Sequence, residues 1–166
     1  MFEEVIPSIV CREARILGRV ELSDGCIIHP TALIDGGKGG IRFGISNVVE
    51  ERVNIINDKD RELIIGDHNW FKVGSFIENP LQIGNYNIFE IRSHIGEGSK
   101  IGNYCYISAT ATLPKNTLLE DSNGVSNIDN TLIITPLTTI NKVSIDDHVK
   151  FLGNILYGSS MEQKKN

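Results

Sequence analysis

A six-residue period of large apolar side chains is the feature that most constrains this chain. From residue 65 onward, ten consecutive positions of the period are apolar, although only 40 % of all residues are hydrophobic. Chance alone would fill ten chosen positions in about one of ten thousand sequences, so the regularity predicts a repeat protein. The ten positions are Ile65, Phe71, Ile77, Ile83, Phe89, Ile95, Ile101, Ile107, Leu113 and Leu119. Upstream, the same spacing includes Val10, Ile16, Leu22, Ile28, Ile34, Phe43, Val49 and Ile55.

A hexapeptide period is typical of the left-handed parallel β-helix, so we predict an all-β fold. In that fold three flat strands form one triangular coil of about eighteen residues, and the large side chain of each strand fills the prism. The position two residues earlier is mostly small, and the position after the large residue is often glycine, which accepts backbone angles that other residues resist. One coil cannot bury its own apolar side, so coils must stack. Residues 1–120 are expected to form about six coils.

Two interruptions of the period support one assignment of strands to three faces. We label these faces A, B and C, with Ile65 on A, Phe71 on B and Ile77 on C. The period lengthens at 35–40, which is rich in glycine, and at 57–62, which is charged. Both insertions fall at the corner from face C to face A of successive coils and therefore predict two neighbouring loops. Such loops are either solvated corners or a binding side of the solenoid.

The small position of face B predicts a structural ladder. Its three central rungs are Asn47, Asn69 and Asn87, and stacked amides can hydrogen bond between successive coils. Just outside this ladder, Glu50, Lys72 and Glu90 alternate in charge, which favours stacking by a fraction of a kcal/mol per pair.

The outward column of face B predicts a surface that something covers. All six members are apolar or aromatic, they include the only tryptophan of the chain, and an exposed patch of that size marks an interaction site. We call this column the face B stripe. It consists of Ile9, Ile27, Val48, Trp70, Ile88 and Tyr106. We predict that a partner protein contacts Val48, Trp70, Ile88 and Tyr106.

The repeat fails after Leu119, and the remainder of the chain predicts a different structure. We expect an irregular connection over 121–143, a short α-helix over 144–158 that packs on the β-helix, and a mobile tail over 159–166. Ser144 with Asp147 three residues later resembles a capped helix start, and Gly158 supplies a stop. The helix is too short to cover the whole face B stripe, because it rises about 1.5 Å per residue.

Composition excludes several classes of function. The net charge of −5 disfavours a nucleic-acid partner, since such proteins usually carry a basic excess. No apolar run approaches the about 20 residues of a membrane span, and Glu3, Glu4 and Pro7 do not suit a signal peptide. Three cysteines without CxxC spacing predict reduced thiols inside the cell.

The four histidines decide between enzymatic and structural interpretations. Zinc in this fold needs converging ligands from adjacent coils, yet Ile91 and Gly96 occupy the places where gamma-class carbonic anhydrases have histidine. We therefore predict no metal, no cofactor and no catalytic residue. The alternative is a homotrimeric, coenzyme A-dependent acyltransferase, in which His94 or His68 would be the general base. His29 and His148 complete the set.

Three segments carry a resemblance to a known family. Residues 65–74, residues 83–90 and the earlier 43–51 share a pattern of the form IGxxNxFxVG…GxxNxxE. The chain resembles the dynactin subunit 6 (p27) family in these segments. The resemblance implies a hexapeptide-repeat β-helix that is a non-catalytic structural subunit of the dynactin pointed-end complex, serving dynein-driven microtubule transport and cargo targeting.

The resemblance also implies partners and a location. The partners are a β-helix protein like dynactin subunit 5 (p25), the actin-related protein Arp11 and the p62 subunit, with dynein contacted indirectly. The location is the cytoplasm and cytoskeleton, on microtubules and at the kinetochore. Mammalian members carry a Ser-Ser-Thr-Pro site near the C-terminus, whereas Ser160 is followed here by Met161 and Glu162. A mitotic phospho-switch is therefore not predicted.

Overall fold

The computed structural model describes residues 5–137, which form twenty β-strands in three sheets. Face A consists of β3 Val20–Leu22, β6 Ile41–Phe43, β9 Leu63–Ile65, β12 Gln82–Ile83, β15 Lys100–Ile101 and β18 Leu118–Leu119. Face B consists of β1 Ile9–Val10, β4 Ile27–Ile28, β7 Val48–Val49, β10 Trp70–Phe71, β13 Ile88–Phe89, β16 Tyr106–Ile107, β19 Asn123–Ile128 and β20 Thr131–Pro136. Face C consists of β2 Arg15–Leu17, β5 Leu33–Asp35, β8 Asn54–Ile56, β11 Phe76–Glu78, β14 His94–Ile95 and β17 Thr112–Leu113.

Strand pairing confirms the predicted parallel β-solenoid of about six turns. Each strand from β1 to β19 pairs in parallel with a strand one coil away, as when Trp70 lies opposite Val48 on one side and Ile88 on the other. The two insertions lie side by side, since the Gly39 N–H donates to the Lys59 carbonyl over 3.1 Å. Within residues 5–137 no helix is long and apolar enough to cross a membrane.

The core is the interior of the prism. Every predicted core position from Ile28 to Leu119 is at most 1 % exposed, and Phe71 stacks on Phe89 with ring centroids 4.6 Å apart. Full burial of such a side chain stabilises the fold by about 1.5–3 kcal/mol. Val10 in the first coil is 45 % exposed, because no earlier coil among the described residues lies against it.

The glycines that follow the core positions are required for a different reason from the one predicted, which was unusual backbone angles. Neither Gly66 nor Gly84 has a positive φ. The left-handed conformation occurs two residues after each of them, at His68 with φ 57° and at Tyr86 with φ 58°. A Cβ atom on Gly66 would instead lie 2.6 Å from the Gly84 carbonyl oxygen. Glycine is needed at this position because two backbones approach closely.

The prediction of an irregular connection at 121–143 is wrong for residues 123–136, which form an antiparallel hairpin. Val125 pairs with Ile107 and is fully buried, so β19 continues face B into the start of another coil. Asp129 and Asn130 both have positive φ, 50° and 62°, which is the conformation of a type I′ turn. This turn folds β20 back along β19. The predicted helix at 144–158 and tail at 159–166 lie outside the described residues.

Candidate interaction surface

The asparagine ladder lies inside the coils and connects side chains to backbone. The N–H of Asn69 donates to Oδ1 of Asn47 over 2.9 Å, and the N–H of Asn87 donates to Oδ1 of Asn69 over 3.0 Å. Each amide also donates through Nδ2 to a glycine carbonyl of the next coil, over 2.9 Å from Asn69 to Gly84. All three asparagines are fully buried. The amides therefore satisfy backbone groups of the next coil and are not available to a ligand.

A second ladder, which the sequence analysis missed, runs along the corner from face A to face B. The N–H of Asp67 donates to Asn85 over 2.7 Å, that of Asn85 to Asn103 over 2.8 Å, and that of Asn103 to Asp121 over 2.8 Å. The signal was present as Asp or Asn after glycine in successive coils. This corner is thus held by side-chain oxygens that accept bonds from the preceding coil.

The face B stripe is a continuous column, but its exposure is uneven. Ile27 and Val48 are fully buried even though they form a cluster separate from the prism core. Trp70, Ile88 and Tyr106 are partly exposed. A partner can therefore contact the last three side chains directly, whereas the single chain already covers Val48.

Polar groups on adjacent strands hold the aromatic members of the stripe. Trp70 Nε1 donates to Glu50 over 2.8 Å, and Glu90 accepts from Lys72 over 2.6 Å and from Tyr106 over 2.9 Å. Burial opposes ionisation of Glu90, but the bonds from Lys72 and Tyr106 outweigh it and lower its pKa. Burial and then Glu90 raise the pKa of Tyr106 to about 12. The polar atoms of the stripe are thus bonded within the chain, and Lys72 Nζ lies over the Trp70 ring, 4.7 Å from its centroid.

The described histidines lie at three separate places. His94 Nε2 lies 3.2 Å from Glu78 Oε2, and His29 Nδ1 lies 3.2 Å from Glu51 Oε1. The ring of His68 instead stacks on a neighbouring tyrosine at the corner before face B. Among residues 5–137, no three His, Cys, Asp or Glu side chains are placed to hold a metal ion. His148 lies outside the described residues.

The three cysteines are free thiols, and two of them belong to the core. Cys26 and Cys105 are fully buried, and desolvation raises the pKa of both thiols. A raised pKa leaves little thiolate at neutral pH, so neither side chain is a competent nucleophile.

Comparison with solved structures defines the class of fold. The chain superposes on a hexapeptide transferase family protein from Anaplasma phagocytophilum with a TM-score of 0.78 and 12 % sequence identity, covering 91 % of this chain and 88 % of that one. The fold is therefore the β-helix of hexapeptide-repeat proteins, matching the left-handed form predicted above. No protein-family model matches the chain.

Comparison of sequences gives a more particular result. The chain is 45 % identical over 69 residues to dynactin subunit 6 of Caenorhabditis elegans, covering 41 % of this chain and 38 % of that protein. It is 38 % identical over 82 residues to dynactin subunit 6 of Nematostella vectensis, and 32 % over 73 residues to that of Dictyostelium discoideum. These two matches cover 43 % of this chain and 45 % and 39 % of the respective relatives. The predicted resemblance is thus confirmed, over less than half the length of each relative.

Proposed function

We propose that this protein is a non-catalytic structural subunit of dynactin, acting in the pointed-end complex. The observation that carries the proposal is its similarity to three proteins named dynactin subunit 6. The site geometry is consistent with a structural role, because the Asn and Asp side chains that face neighbouring coils are bonded to backbone. The protein would support dynein-driven transport along microtubules by linking subunits.

The proposed partners follow from the same resemblance. A β-helix protein like dynactin subunit 5 (p25) pairs with this chain, and Arp11 and p62 complete the pointed-end complex, with dynein contacted indirectly. The complex acts in the cytoplasm on the cytoskeleton, including the kinetochore. The contact surface consists of Trp70, Ile88 and Tyr106, which are partly exposed while their polar atoms are bonded within the chain.

The predicted helix at 144–158 is proposed to cover the beginning of the stripe. Two observations support this: Ile27 and Val48 are fully buried outside the prism, and β20 belongs to the sheet of face B. The chain therefore leaves its last described strand on the face that carries the stripe.

Affinity purification of the tagged full-length chain from its own cells tests the proposal. Mass spectrometry of the purified complex should identify dynactin subunits, including a second β-helix protein. Ile88→Arg and Tyr106→Arg should deplete that protein, whereas Leu81→Arg, at an exposed position of another corner, should retain it. Absence of dynactin from the unmodified sample refutes membership. Full retention with both stripe variants refutes only the interface.

The contact between His94 and Glu78 favours one alternative, a coenzyme A-dependent acyltransferase. A carboxylate 3.2 Å from Nε2 could orient the imidazole as a general base. That function requires a homotrimer with acyl-transfer activity that His94→Ala abolishes. We expect instead that the purified chain transfers no acyl group and that the His94→Ala variant still assembles with dynactin.

A further inference from the structure

The three sheets end differently at the C-terminal end of the described solenoid. On face B the hairpin of β19 and β20 continues the sheet. On face C the N–H of Thr112, in the last strand, donates to Oδ1 of Asn127 over 2.8 Å. On face A the last strand, β18, pairs only with β15, and residues 5–137 supply no further strand beside it.

The hydrogen-bond register defines which groups of β18 face the open side. In the coil before, the N–H of Lys100 donates to the Thr117 carbonyl over 3.0 Å, and the N–H of Gly102 donates to the Leu119 carbonyl over 2.8 Å. The equivalent groups one coil later are the N–H of Leu118 and the N–H of Glu120. An edge strand with unpaired backbone groups can pair with a strand of another chain.

The side chains at this edge give it a chemical character. Leu118 is 60 % exposed, beside a shallow depression of about 440 Å³. Glu120 and Asp121 are exposed, and no cation among the described residues forms an ion pair with either. The depression is lined by Lys100, Gly102, Leu118, Leu119, Glu120 and Asp121. An apolar side chain and two carboxylates therefore lie next to the open backbone.

We infer that β18 is a strand-addition site for an extended segment of a partner protein that has an apolar residue and, two positions later, a lysine or arginine. In parallel register the first residue lies beside Leu118 and the third lies beside Glu120. The second would face the prism, where Leu119 is only 1 % exposed, so it makes no apolar contact with the core. Main-chain bonds supply affinity in this mode of recognition, and alternate side chains supply specificity. The site extends beyond the proposed function and does not depend on it.

A second copy of this chain does not supply an apolar side chain opposite Leu118. Its first strand on face A is β3, in which Glu21 occupies the column that contains Leu118. Stacking of two copies end to end would place the Glu21 carboxylate against Leu118, and the hairpin on face B would obstruct the approach. The occupant is thus a different chain.

Amide exchange measured by NMR on the full-length protein tests whether the edge is open. The amides of Leu118 and Glu120 should exchange at least about tenfold faster than those of Lys100 and Gly102, since exchange reports local protection. Protection of both amides in the isolated full-length chain would overturn the inference, because residues of the chain itself would then cover the edge.

Titration with two synthetic peptides tests the chemistry of the occupant. The probes contain Val-Ile-Lys or Val-Ile-Glu within otherwise identical extended sequences. The lysine peptide should bind more tightly, Leu118→Glu should weaken it at least about tenfold, and Glu120→Lys should reverse the preference, because opposite charges on adjacent strands attract. Gln82→Glu, in the same column but between two strands, should change nothing. Equal binding of both peptides, or none, would refute the site.

Discussion

At the scale of single residues, the tight corners place the strongest demands on the sequence. His68 and Tyr86 adopt a left-handed backbone, which costs a residue other than glycine about 1–2 kcal/mol. Their rings stack with centroids 4.6 Å apart, and such pairs contribute about 0.5–1.5 kcal/mol beyond area burial. Stacking between coils thus offsets part of the backbone cost at the same residues.

Replacing the buried Ser93 by alanine should not destabilise the protein. The Oγ atoms of Ser75 and Ser93 are buried without a hydrogen-bond partner, and a buried unsatisfied polar group costs about 1–3 kcal/mol. The same position of face C holds Ala32 and Ala111 in other coils. Thermal unfolding should give an unchanged or higher midpoint for Ser93→Ala.

The matched control is Ser99→Ala, which removes a hydroxyl that donates to the Pro114 carbonyl over 2.9 Å. This variant should lose about 1 kcal/mol, the net value of a typical hydrogen bond. Equal losses in Ser93→Ala and Ser99→Ala would show that the Ser93 hydroxyl has a partner and would contradict the prediction.

At the scale of strands, side chains on neighbouring coils form networks that no single strand contains. Trp70 is held by Glu50 of the previous coil, and Tyr106 is held by Glu90 of the coil before it. The alternation of charge in this column was visible in the sequence. The bonds to the aromatic side chains depend on the distance between coils and on side-chain rotamers, which a linear pattern does not specify.

The Glu90 carboxylate should make stability depend on pH. Because the pKa of Glu90 is lower in the folded protein than its ordinary value of 4.5, its ionised form favours folding. This contribution is present above the ordinary pKa and disappears as pH falls through the folded pKa. In urea unfolding, the wild type should therefore lose more stability than Glu90→Gln between about pH 6 and pH 3. Parallel losses in both proteins would contradict this expectation.

The hairpin shows why one strand pair was missed. Prediction of an irregular segment followed from the failure of the six-residue period after Leu119. Yet Asp129 and Asn130 are residues that tolerate positive φ, and they lie between two short runs that contain apolar residues. The signal for the hairpin was therefore this turn pair, since neither flanking run shows a two-residue alternation.

At the scale of the whole molecule, the stack has an interior and ends. Each coil contacts only its neighbours, so stability is approximately a sum of coil and interface contributions. Ile95 is fully buried between two coils, whereas Ile16 in the first coil is partly exposed. The same residue type therefore experiences two environments in one fold.

Truncation of these two isoleucines should have unequal effects. Ile95→Ala should cost about 2–5 kcal/mol, because it leaves a cavity in a close-packed core. Ile16→Ala should cost well below that range, since solvent already reaches the side chain. Urea unfolding at constant pH measures both free energies, and equal losses would show that the first coil is as well covered as the fifth.

The sequence by itself determined the architecture, because a period of six dictates which side chains enter the prism and therefore the register of every coil. It also determined the columns on each face, including the asparagine ladder and the stripe. Only the tertiary structure decided which parts of those columns are covered, that Gly66 is required by close backbone approach, and that β18 has no further strand beside it among residues 5–137. Those features depend on distances between residues about eighteen or more positions apart, and no local pattern encodes them.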